Sequence, residues 1–92
     1  MPQLFRVGNY IIYFWANENN PLEPLHIHIA EGRPQADATK IWITRTGHCI
    51  TAHNKSQLPP AVLTKLIRLI EANSAMIEAQ WLEMFEEIQY FC

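Results

Sequence analysis

Apolar positions along the chain follow two different periods, one in each half. In the first half, Leu4–Val7 and Tyr10–Trp15 are β-branched and aromatic runs joined across Gly8-Asn9, which is the composition of a β-hairpin. Leu25–Ala30 reads as a third strand, Glu31-Gly32-Arg33-Pro34 turns the chain, and Ala36–Thr44 is a fourth. Thr46-Gly47 then leads into a fifth strand, from His48 to His53. These connections are too short for helical crossovers, so the strands form an antiparallel meander.

The second half repeats at helical spacing. Pro59-Pro60 suits a helix start, where a missing N–H costs nothing, and Val62, Leu63, Leu66, Ile67, Leu69 and Ile70 give it a wide apolar face. Asn73-Ser74 marks a break, since Asn tolerates a left-handed helix end and Ser can cap a new start. Beyond it, Ile77, Trp81, Met84, Phe85 and Ile88 form one stripe, with Glu78, Glu83, Glu86 and Glu87 largely off it. Trp81 belongs to the core on this spacing. The expected fold is α+β: a small antiparallel β-sheet of four to five strands, covered on one face by two C-terminal helices. It makes a single domain over 1–92, β-rich over 1–55 and helical over 59–90.

Composition supports a folded domain, with 49% hydrophobic and 17% charged residues in 92. The longest uncharged apolar run, Tyr10 to Ala16, falls far short of the ~20 residues that a membrane helix needs. The first residues lack the pattern of a secretory signal, so the expected location is cytoplasmic, without membrane contact. Cys49 and Cys92 are then expected to stay reduced.

Charge is unevenly distributed. Six bases lie between Arg33 and Arg68 against the single acid Asp37, whereas five acids and no base follow from Glu71 onward. The centre can face an anion and the C-terminal segment a basic partner, unless the two segments pair with each other.

Candidate chemistry follows from strand parity. Along an extended Leu25–Ala30, Leu25, Ile27 and Ile29 point one way and His26, His28 and Ala30 the other, with the two histidine Cα atoms about 7 Å apart. Parity along Ala36–Thr44 likewise groups Lys40 with Trp42, and Lys40 is expected to share the histidine face. Trp42 reads equally as core or as an exposed stacking surface.

The strings Phe14-Trp15-Ala16-Asn17-Glu18, Glu23-Pro24-Leu25-His26-Ile27-His28-Ile29 and Ala38-Thr39-Lys40-Ile41-Trp42 resemble the prokaryotic family called domain of unknown function 4160. Its members tend to show an Asn-Glu loop, Glu-Pro-Pro-His-x-His and a later Ala-Lys-x-Trp. They close with a helical pattern like Leu63 to Trp81 and Phe85. Leu25 replaces the family's second Pro, and Thr39 interrupts the Ala-Lys pair. The resemblance implies one half of a two-gene cassette of toxin–antitoxin type, whose partner is the neighbouring gene's protein.

Three functions fit these residues. In the first, His26 and His28 hydrogen-bond the Asn17 to Glu23 loop, and the protein binds a protein partner through the histidine face or the acidic helix; Asn17, Glu18, Glu23 and Trp42 are the contact candidates. In the second, a metal-independent ribonuclease or phosphate-ester-acting toxin uses His26 and His28 as general acid and base. Lys40 would stabilise phosphate charge, and Tyr13, Trp15 and Trp42 would hold a nucleic-acid strand. In the third, His26 and His28 begin a divalent metal site for Zn or Ni, completed by Glu18, Glu23, His48, His53 or Cys49.

Overall fold

The computed structural model describes residues 3–16 and 22–92. Five strands, β1 (Gln3–Val7), β2 (Tyr10–Tyr13), β3 (His26–Glu31), β4 (Thr39–Ile43) and β5 (Cys49–His53), pair in chain order as an antiparallel meander. Two helices follow, α1 (Pro60–Ala72) and α2 (Ser74–Phe85). The expected α+β architecture is the observed one. Val7 pairs with Tyr10, leaving Gly8-Asn9 as a two-residue hairpin loop. Gly8 takes φ 59°, a left-handed value at the first central position, where glycine carries no steric penalty.

The β-strands pack against the helices through alternate residues. Ile12, Leu25, Ile27, Ile29, Ile41 and Ile43 are buried in one cluster with Leu66, Ile70, Ile77, Trp81 and Phe85. The opposite face carries a smaller buried cluster of Ile11, Tyr13, Ala30 and Ala38, with Trp15 against it. The β3–β4 connection reaches this cluster: Tyr13 Oη donates to Gln35 O at 3.4 Å and accepts from Gln35 N at 3.3 Å.

The helix ends depart from expectation. Asn73 sits at φ −111°, ψ 16°, outside the left-handed region, and it rather than Ser74 takes the cap position of α2, without a side-chain cap bond. Asn73 instead closes α1 by donating from Nδ2 to Leu69 O at 2.8 Å, and α2 begins immediately after it. The left-handed residue is Glu86, at φ 68°, which ends α2 well before position 90. A helix C-terminus lined with Glu83, Glu86 and Glu87 and carrying no base opposes its own dipole. Ile77, Trp81 and Phe85 are buried as expected, but Met84 is 44% exposed.

Residues 86–92 form a strap across the end of the sheet. Leu25 N donates to Gln89 O at 2.8 Å and Arg45 N to Cys92 O at 3.1 Å. Among the described residues, no helix is long and apolar enough to cross a membrane.

Candidate functional site on the second sheet face

Strand register assembles the site. On the face turned away from the helices, Tyr13 pairs with His28, His28 with Lys40, and Lys40 with His53, giving one row across four adjacent strands. His26 pairs with Trp42 and Trp42 with Ile50 in the next row. Parity therefore places His28, Lys40 and Trp42 together, as the sequence indicates.

His53 is the residue that regular alternation misses. A register shift between Lys40 and Ile41 sets Ala52 as an extra residue on β5 and carries His53 opposite Lys40. The His53 imidazole has its pKa lowered from the usual histidine range, first by desolvation, then by the charges of Lys55, Lys40 and His28. Its Nδ1 accepts from Lys55 N at 3.4 Å.

The two motif histidines lie together but differ in access. Their ring centroids are 5.1 Å apart in an edge-on arrangement. His28 is half-buried, whereas His26 is 0% exposed, so the expectation that both imidazoles stand on an open face is corrected for His26. The cause is its position at the start of β3, where its ring meets Trp81 of α2 at 5.4 Å as well as Trp42 at 5.6 Å. His26 Nδ1 donates to Pro24 O at 2.8 Å, which places a proton on Nδ1. Tyr13, His26 and His28 each make further interactions beyond these. With His26 sealed, it cannot meet a substrate from solvent jointly with His28.

Lys40 is engaged from two sides. Its Nζ donates to Glu23 Oε1 at 2.6 Å and lies 4.3 Å from the centroid of the Trp42 ring. Trp42 also carries the strap's Phe91, parallel within 3° at a centroid distance of 4.9 Å. Trp42 is thus neither core nor open surface, but a half-buried ring covered by another ring. Asn17 and Glu18 lie outside the described residues.

The remaining metal-ligand candidates lie elsewhere. His48 is exposed, with Nδ1 3.7 Å from Glu71 Oε2, and that same oxygen accepts from Cys49 N at 2.9 Å. Cys49 packs against the helix-side core, and burial, with Glu71 adding to it, pushes its thiol up to about 12. It is no ready thiolate. Among the described residues, no group of three or more His, Cys, Asp or Glu side chains converges as a metal would require.

The model of the family described as Domain of unknown function (DUF4160) matches residues 9–82. The chain belongs to the DUF4160 family. The DUF4160 match runs from the β1–β2 turn into α2, so it includes His26, His28, Lys40, Trp42 and His53. The end of α2 and the strap with Phe91 lie outside it. No curated protein matches the chain, and no solved structure does.

Proposed function

We propose that this DUF4160 protein is the partner-binding member of a toxin–antitoxin-type pair, working in the cytoplasm, and that it holds a basic protein segment against the outer side of α2. The supporting observation is an exposed ridge. Ala75, Ala79 and Leu82 fall at i, i+4 and i+7 on α2, all exposed, with Leu82 at 44%. Small side chains on such a ridge let a second helix approach closely, and one larger apolar residue supplies an anchor.

Charge supports the same side. Glu78, Glu83 and Glu86 border the ridge, and none of them makes an ion pair among the described residues, where Lys40 pairs with Glu23 and His48 with Glu71; Glu78 hydrogen-bonds the Tyr90 side chain. Among the described residues Glu83 and Glu86 are thus left for a partner carrying Lys or Arg. Partner binding needs no chemistry from His26, whereas an acid–base pair of His26 with His28 finds no support on a face where His26 is sealed.

Co-purification of this chain with the product of its neighbouring gene tests the reading. Ala79→Glu and Leu82→Glu, both on exposed positions, are expected to abolish the complex while the free chain keeps its thermal midpoint. A complex that survives both substitutions and is lost in His28→Ala moves the interface to the second sheet face.

A further inference from the structure

Both ends of the Lys40–Trp42 pair are occupied by groups from the chain itself. Phe91 lies flat on Trp42, yet it remains 57% exposed, so it covers the indole more than it buries itself. It lies outside the family match, and the strap is tied next to it by the Arg45 N to Cys92 O bond at 3.1 Å. A ring stack of this kind shifts a population by roughly two- to tenfold, which makes for a marginal closure. Glu23, nearly half-exposed, holds the Lys40 ammonium at 2.6 Å.

Apart from these two groups, the pair offers a specific chemistry: a flat indole that accepts a ring, and close to it an ammonium with His53 opposite on the neighbouring strand. Lys40 Nζ lies 4.3 Å from the Trp42 ring centroid, so the phosphate of a base stacked on the indole comes within reach of that ammonium. Stacking with a cation beside it is how proteins hold single nucleotide units without reading their sequence.

We propose that the second sheet face is a binding site for a nucleotide unit, with the base on Trp42 and the phosphate at Lys40 beside His53. Phe91 stands in for the base and Glu23 for the phosphate when the site is empty. The proposal is independent of the partner reading, which uses α2. The strap is then an intramolecular competitor, and the site opens without any change in the sheet.

The test is a titration of the full chain, followed by amide and indole NMR shifts, with uridine monophosphate, adenosine monophosphate and a uridine pentanucleotide. The intact chain is expected to bind in the millimolar range. Phe91→Ala and Glu23→Gln are each expected to tighten binding roughly two- to tenfold by removing a competitor. Lys40→Gln is expected to weaken it about tenfold, and Trp42→Leu to remove the shift response of the site.

Equal affinity for monophosphates and pentanucleotide supports a mononucleotide site, and tighter pentanucleotide binding supports a strand site; either supports the proposal. No saturable binding by the Phe91→Ala/Glu23→Gln double variant overturns it, as does affinity unchanged by Lys40→Gln. Binding of a phenylalanine-containing peptide where the nucleotides fail also overturns it, and assigns Trp42 to a protein side chain.

Discussion

On the helix side of the sheet, Ile27, Ile29, Ile41 and Ile43 are fully buried and meet Leu66, Ile70, Ile77 and Trp81. On the other side, their strand neighbours His28, Lys40 and Trp42 are half-buried, with Glu23 against Lys40 and the strap's Phe91 over Trp42. The same residues of backbone serve both, because alternate side chains leave a strand in opposite directions. The aliphatic face makes its contribution through area removed from water, without a charge or a ring nitrogen among its strand residues. The second face concentrates the imidazoles, the ammonium and the indole where neighbours from the chain's end and loops can cover or uncover them. A small domain can thus separate stability from chemistry across the thickness of one sheet.

The strongest test of that separation compares two tryptophans. Trp81 is fully buried between Phe14, Phe85 and His26, so Trp81→Ala is expected to cost about 3–5 kcal/mol. In a domain this size each kcal/mol lowers the thermal midpoint by about 4–8 °C. Trp42→Ala, half-buried and covered by an exposed Phe91, is expected to cost on the order of 1–2 kcal/mol. Equal losses in thermal unfolding would mean that the second face carries the fold as much as the first. Trp81 Nε1 is buried without a hydrogen-bond partner among the described residues, so Trp81→Phe should cost less than Trp81→Ala by more than ring size alone accounts for.

The contrast between the faces was largely legible in the residues. Ile27 and Ile29 alternating with His26 and His28, and Ile41 with Lys40 and Trp42, specify both faces at once, because a strand's period is two. The helices were equally legible from their apolar spacing, although Phe14, Trp15, Leu25, Ala36–Ala38, Thr44 and His48 fell outside the strands. What alternation cannot carry is any effect that enters from a distance. His26 is sealed by Trp81, a residue from the other half of the chain, and Trp42 by a strap whose path depends on where α2 stops. Nor does a regular period foresee a bulge: the extra residue at Ala52 is what brings His53 beside Lys40, and nothing in Thr51-Ala52-His53 announces it.

A smaller effect is expected where the second face meets solvent. Lys40 and Glu23 are in close contact, but their side chains are 17% and 46% exposed, so solvent screens the pair. Glu23→Gln is expected to change unfolding free energy by ~0–1 kcal/mol, and the difference from the parent chain should shrink further in high salt. A loss of several kcal/mol, insensitive to salt, would show Glu23 fastening the fold instead of occupying Lys40. Measured alongside nucleotide affinity, this variant separates the two roles: little change in stability with tighter binding is the combination that the stand-in arrangement requires.

The smallest expected effect is a pH slope from His53. Three cations face this ring: Lys55 from its own strand end, Lys40 from β4, and His28 beyond it when protonated; desolvation opposes its charged form more than any of them. Its folded pKa is therefore below the unfolded value of about 6.5. Well above that value His53 is neutral in both states, and its contribution to stability is intact. As pH falls below it, the unfolded chain takes up the proton first, so stability is lost, and the loss is complete once the pH passes below the folded pKa. His53→Gln should accordingly flatten the decline in thermal midpoint between neutral and mildly acidic pH, while leaving the neutral value nearly unchanged. If the variant declines as steeply as the parent, the ring does not feel the row of cations around it. Lys55→Gln provides the finer measurement: removing the largest of the three charge effects should recover part of the flattening, and less than His53→Gln does, because desolvation of the imidazole persists.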